Sequence, residues 1–373
     1  MGKIKILHII KSLGRGGAEM LLPETLLLHD LQNFEFHYIY FLPWKNQMVD
    51  EIEKAGGKVK CFPAKNNVQL LLRVNEVSKY CITHQIDLIH AHLPWSGFLS
   101  RLVHVKNNIP VIYTEHNIQE KYHFVTRSLN KWSFNWQNIA LGVSNDVTNS
   151  IQKNIKVKIP VRTLFNGVNT HKFSVNESAG DIIKRTYSIP EDAIVIGNLA
   201  VFREQKDLIT WLKAFQRIKS LNPKVFGLLV GAGPEENIIK EFIKQEEIQD
   251  LILPGLQKNT IPYFSAFDIF MMSSKFEGLP IALLEAMSME CAIVSTKAGG
   301  VAEVVQNEDN GFLVEIEDHK SLASRSTTLI NSPALLRHYK MKARERVLSK
   351  FSLTKMVKNI EKEYRQLLEV SNS

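Results

Sequence analysis

Apolar side chains in this chain fall into short, nearly continuous runs, separated by stretches in which they recur every three or four positions. In the first half the runs are KIKILHII, FEFHYIYFL, KVKCF, IDLIHAH, PVIYTEH and NIALGVS. Runs that are apolar at consecutive positions suit parallel strands covered on both faces, and the helical spacing between them supplies the covering layers. After the stretch NGVNTHKFSVNESAGD the pattern restarts with AIVIGNLA, KVFGLLVGAG, LILPG, DIFMMSS, CAIVST and GFLV. The repetition predicts an α/β chain of two Rossmann-like, doubly wound domains, residues 1–177 and 178–350. The remainder, 351–373, places Leu353, Met356, Val357, Ile360, Tyr364, Leu367 and Leu368 at helical spacing, which predicts an amphipathic terminal helix.

Length agrees with this division, since 373 residues exceed what one compact core organises. Cys61, Cys81 and Cys291 form an odd, scattered set without a C-x-x-C pair, as expected of a reducing, cytoplasmic setting. The opening MGKIKILHIIKSLGRGG reads as a first strand rather than a signal peptide, because glycines and an arginine stand where a cleavage site would lie. No run approaches the roughly 20 apolar residues that cross a bilayer, so an integral membrane protein is not expected. The net charge of +8 sits wholly in the first half: residues 1–178 hold 21 Lys and Arg against 13 Asp and Glu, and residues 179–373 hold 25 of each. Such an excess fits an anionic membrane surface or a phosphate-bearing partner, or serves solubility alone; no nucleic-acid partner is expected.

Gly14, Gly16 and Gly17 follow the first strand and precede a helix, where bare backbone N–H groups can face a phosphate. They do not make a dinucleotide fingerprint, since the third glycine would fall at Glu19; Gly231 and Gly233 fail likewise at Glu236. Nicotinamide chemistry is therefore set aside, and both loops also read as plain strand-to-helix punctuation. In SSKFEGLPIALLEAMSM, Pro280 opens a helix, Glu277 stands just before it, and Glu285 lies two turns inside among apolar neighbours. Two carboxylates beside one helix start suit a ligand with phosphates and several hydroxyls, such as a nucleotide sugar. Arg203 and Lys206, at the carboxyl end of a strand, supply the complementary charge and could neutralise a diphosphate leaving group without a metal.

His90 and His92 alternate at the end of one strand and His116 ends the next. Without an aspartate or further histidine at short spacing, a sugar-hydroxyl or acceptor-facing role fits them better than a metal site. In residues 121–138 a helix would carry Val125, Leu129, Trp132 and Trp136 on one face with Lys121, Arg127 and Lys131 elsewhere. That face could pack into the first domain or meet a membrane interface.

With these residues assembled, the chain resembles a family 4 glycosyltransferase of the GT-B architecture from end to end. Glu277, seven intervening residues and Glu285 match the family's paired-glutamate motif, and GGAE at Gly16–Glu19 is similar to its first glycine loop. DLIHAHLPWSGFLSRL, YTEHN, SNDV, NGVN with Phe173, LLVGAGP and AGGVAEVV followed by NGFLV fall in the family's order. The resemblance implies two domains facing across a cleft, a terminal helix crossing back to the first domain, and retaining transfer from a nucleotide sugar without a metal or other cofactor. It assigns Glu277 to the transferred sugar, Glu285 to the ribose, and Lys206 to the diphosphate. Gly16, Gly17 and the backbone of Gly278, Leu279 and Pro280 would hold phosphate or sugar oxygens, and His116 would lie near donor sugar and acceptor. The arginine that the family places five residues before its lysine is Val201 here; Arg203 is similar to that of an F-R-x-x-K-D subgroup. The implied acceptor is a saccharide or lipid-linked saccharide of the cell envelope. A nucleotide-sugar epimerase and a non-catalytic nucleotide-sugar-binding protein remain as alternatives.

Overall fold

The computed structural model describes residues 2–371. The chain forms two compact units, one running to Asn166 and resuming at Leu353, the other from Gly167 to Ser352. The first is a seven-stranded parallel sheet of β1 (Ile4–Ile9), β2 (Phe34–Tyr40), β3 (Lys58–Cys61), β4 (Leu88–His92), β5 (Val111–Glu115), β6 (Ile139–Gly142) and β7 (Val161–Thr163). Their order is β3-β2-β1-β4-β5-β6-β7, so the direction of winding reverses beside β1. The second unit has β8 (Ile194–Leu199), β9 (Val225–Val230), β10 (Leu251–Gly255), β11 (Ile269–Met272), β12 (Ala292–Thr296) and β13 (Phe312–Val314) in the order β10-β9-β8-β11-β12-β13. In both sheets the strand whose two neighbours come from opposite directions of winding has its carboxyl end where such folds bind ligands.

Twelve of the thirteen strands are those the apolar runs predict; β7 is the addition. It spans three half-exposed residues at the sheet edge, too short and too polar to leave a run. The domain boundary also moves. Division falls at Asn166 rather than at 177, because the stretch between is tied into the second unit: the Phe173 carbonyl accepts from Ser288 Oγ at 2.5 Å and Asn176 N–H donates to Ser265 Oγ at 3.3 Å, ahead of the helix Glu177–Thr186, which packs on Ile261–Ala266. At the other end, Val168 N–H donates to the carbonyl of Phe351 at 2.9 Å, which keeps Phe351 and Ser352 with the second unit. The terminal helix, Leu353–Ser371, belongs to the first unit, where Leu353, Val357, Ile360, Tyr364 and Leu367 are buried. In the second unit Trp211 anchors the core, fully enclosed, with its indole N–H on the Met271 carbonyl at 2.9 Å. Among the described residues no helix is long and apolar enough to cross a membrane.

Candidate functional site

In the second unit β8 ends in a loop that turns through a short 3-10 segment, Glu204–Lys206, into the helix Leu208–Leu221. The loop is held by close backbone approach. Phe202 N–H donates to the Ala232 carbonyl and Glu235 N–H to the Phe202 carbonyl, both at 3.0 Å. Only glycine permits this: a Cβ on Gly231, whose φ is +135°, would lie 1.9 Å from the Ala200 oxygen, and one on Gly233 2.4 Å from that of Phe202. These glycines, read from sequence as punctuation, fix the platform that carries Arg203 and Lys206.

Lys206 reaches the loop after β11. Its Nζ lies 2.5 Å from Glu277 Oε1, with the lysine side chain 22% and the carboxylate 7% exposed. Gln205 completes the joint by donating to the Phe276 carbonyl at 2.7 Å and to Glu277 Oε2 at 3.4 Å, while Lys275 N–H donates to the Gln205 carbonyl at 2.8 Å. From below, Ser273 Oγ donates to the carbonyls of Lys206 and Asp207, each at 2.9 Å. Two segments 71 residues apart in sequence are thus one rigid construction around a single ion pair. The cation and the Gln205 amide both converge on this largely buried carboxylate, and the lysine's remaining two N–H bonds stay open to a second anion.

Gly278, Leu279 and Pro280 lead from Glu277 into the helix Ile281–Ser288, with Pro280 at its cap in an extended conformation. Glu285 lies within that helix and is buried, at 5% exposure. Arg203 is exposed and forms no ion pair among the described residues, so its guanidinium is free to meet a ligand. Lys206 and Glu277, both singled out by sequence spacing, are brought together here; Gln205 and Ser273 carry no sequence signal of their own.

The first unit gathers its histidines. His90 Nδ1 is 2.7 Å from Tyr364 Oη and its Nε2 2.7 Å from Thr114 Oγ1, and His8 Nδ1 is 2.9 Å from His92 Nε2. The β1–β4 register sets His8 beside His90, and ring centroids of His92 and His116 are 5.8 Å apart. These rings help line a cavity of about 30 Å³ with Tyr364 and Met356 of the terminal helix. Burial drives the imidazoles toward the neutral form, His90 to about 3 and His116 to about 4, with His8 and His92 also well below the usual range. His8 was not among the residues singled out from sequence, although a polar side chain inside KIKILHII was a signal.

One ring nitrogen from each of His8, His90 and His92 lies within 4.8 Å of the others, a spacing a cation could span. Both nitrogens of His90 are already engaged, however, so metal binding would have to break its bonds to Tyr364 and Thr114. Gly16 caps the helix Gly17–Leu26, and a Cβ there would come within 2.3 Å of Glu19 Oε2. Glu19 also accepts from Ser12 Oγ at 2.9 Å, which ties the glycine loop to the end of β1.

Residues 30–172 match Glycosyltransferase Family 4, and residues 181–346 match Glycosyl transferases group 1. The chain is 25% identical to N-acetyl-alpha-D-glucosaminyl L-malate synthase of Bacillus anthracis, over 80% of this chain and 79% of that one. It is 24% identical to the UDP-Gal:alpha-D-GlcNAc-diphosphoundecaprenol alpha-1,3-galactosyltransferase of Escherichia coli, over 97% of each. In fold it superimposes on Anabaena HepE in complex with UDP and glucose with a TM-score of 0.86 at 19% identity, covering 97% of this chain and 100% of that one. Two winding-reversal sheets, a lysine–glutamate joint in the second and family matches across both units lead to one assignment: the chain belongs to the group 1/family 4 glycosyltransferases and has their GT-B fold.

Proposed function

We propose that this glycosyltransferase moves a hexosyl group from a nucleoside-diphosphate sugar to a saccharide or lipid-linked saccharide of the cell envelope, with retention and without a metal. The Lys206–Glu277 pair carries the reading. The donor's pyrophosphate lies against Lys206, Arg203 and the backbone of Gly278–Pro280; Glu277 orients the transferred sugar and Glu285 the ribose. As the bond from sugar to phosphate breaks, charge accumulates on the leaving oxygen, and Lys206, fixed on one side by Glu277, stabilises that charge more than it stabilises the intact donor. The departing phosphate then takes the acceptor's proton on the same face. In the first unit Gly16 and Gly17 supply backbone donors and His116, neutral by burial, faces the acceptor. His90 and His92 form the wall behind it.

The Escherichia coli relative named for a diphosphoundecaprenol-linked acceptor supports a lipid-linked substrate. The three unpaired cysteines fit work on the cytoplasmic side of the membrane. Steady-state turnover over a panel of nucleotide sugars, read as nucleoside diphosphate released only when acceptor is present, separates transfer from epimerisation and from mere binding. Lys206→Ala should lower kcat by about 10²- to 10³-fold, and Glu277→Gln should lower it comparably. Near-normal turnover of either variant would count against the assignment; chelator-insensitive rates and an α-product from an α-donor test the remaining claims.

A further inference from the structure

The helix Phe124–Ser133 is amphipathic with its polar side inward. At about 100° per residue, Thr126, Asn130 and Ser133 share the buried face, and Phe124, Ser128, Lys131 and Trp132 share the opposite one. The inward face serves Arg101, which is wholly enclosed. Its Nη1 donates to Asn130 Oδ1 and Ser133 Oγ at 2.9 Å, and its Nε donates to Gln137 Oε1 at 2.8 Å. Asn130 continues through Gln119 to the buried carboxylate of Glu115. A cation inside a protein needs such partners, so the helix turns its polar residues to it.

The apolar residues are left outside. Phe124 is 78% exposed, Trp132 65% and Val125 48%. Trp136 extends the patch, with its ring centroid 4.3 Å from that of Trp132. Asn135 bonds the carbonyl of Lys156 and the N–H of Lys158, which sets that basic segment beside the tryptophans. Between residues 117 and 160 the cations Lys121, Arg127, Lys131, Lys153, Lys156 and Lys158 face only two acids, Glu120 and Asp146.

Exposed aromatic rings flanked by lysines are costly in water and favourable where phospholipid headgroups meet acyl chains: rings enter hydrocarbon while ammonium groups stay with phosphates. A second copy of the same face would bring like charges together, so charge complementarity selects anionic lipid. We propose that the outward face of this helix, with Trp136 and residues 156–158, is the surface by which the enzyme lies on an anionic bilayer. The proposal rests on the lipid-linked acceptor reading and names the surface that would serve it.

The test is sedimentation of the full chain with vesicles of phosphatidylcholine alone and with about one-third phosphatidylglycerol. Expected are salt-sensitive binding to the anionic vesicles only and a blue shift of tryptophan emission. Binding should weaken about fivefold for each of Lys131→Gln and Lys156→Gln. The double variant Phe124→Ser/Trp132→Ser should weaken it at least about tenfold. Trp44→Ser, at an exposed tryptophan outside the patch, should bind as the parent does. Undiminished binding by the double variant overturns the proposal, as does failure of the parent to bind, or parental self-association that the double variant abolishes. Turnover with a soluble saccharide acceptor, measured without vesicles, should be the same in parent and double variant. Absence of that turnover in the parent would strike the enzymatic reading while leaving the vesicle result to be judged separately.

Discussion

Two helices of the first unit, Phe124–Ser133 and Leu353–Ser371, carry the same pattern in sequence and resolve it in opposite ways. The terminal helix buries its stripe, with Leu353, Val357, Ile360 and Tyr364 all at 3% exposure or less. The other turns Phe124 and Trp132 to the outside and hides Thr126, Asn130 and Ser133. What differs is the surface each one covers. Beneath the terminal helix lie apolar side chains of β1 and β2 and the histidine rings, which ask little of it: Tyr364 Oη lies 2.7 Å from His90 Nδ1, and Glu361 Oε1 accepts from His29 Nδ1 at 2.8 Å. Beneath the other lies a guanidinium. Periodicity in a sequence fixes that a helix has two faces; the deepest charged group nearby decides which one goes in.

The contrast can be broken most severely at the terminal helix. Tyr364→Ala removes a wholly enclosed ring and leaves His90 Nδ1 without its partner, and should cost about 4 kcal/mol in urea denaturation. Arg101→Met should cost about 3 kcal/mol, because Asn130, Ser133 and Gln137 lose the donor they converge on.

Acid sharpens the comparison next. In the unfolded chain imidazoles titrate near 6.5, whereas in the fold burial holds His90 at about 3 and His116 at about 4. Below pH 6.5 the unfolded chain takes up protons that the folded chain refuses. Stability therefore falls as pH drops from 6.5 toward 4, by about 1.4 kcal/mol per pH unit for each such histidine, and is insensitive to them above pH 7. His90→Gln should reduce the slope of stability against pH by one proton's share, whatever it does to stability itself. The smallest effect belongs to the outward face: Phe124→Ser should change folding stability by less than about 0.5 kcal/mol, measured by thermal unfolding.

Much of this was legible in the linear pattern. Near-continuous apolar runs gave twelve strands, because burial on both faces of a parallel sheet demands them. Lys206 and Glu277 were identified because a charged residue at a strand end or helix start stands out against an apolar background. The remainder depended on distance in sequence. Nothing near His8 announces that β1 lies beside β4 and brings it to His90, and nothing near Arg101 says that Asn130 will be its partner. Gly231 and Gly233 look like turn residues until the neighbouring backbone of Ala200 and Phe202 is present to exclude a side chain.

The first unit is not continuous along the chain. Its histidine-lined cavity takes Met356, Ile360 and Tyr364 from a segment synthesised after the whole of the second unit. On the ribosome the later-encoded unit therefore has all its parts first, and the part of the N-terminal core that packs on Ile360, Tyr364 and Leu367 closes only after it. A stop codon placed anywhere before Met356 would thus damage the half of the enzyme that had been translated earliest.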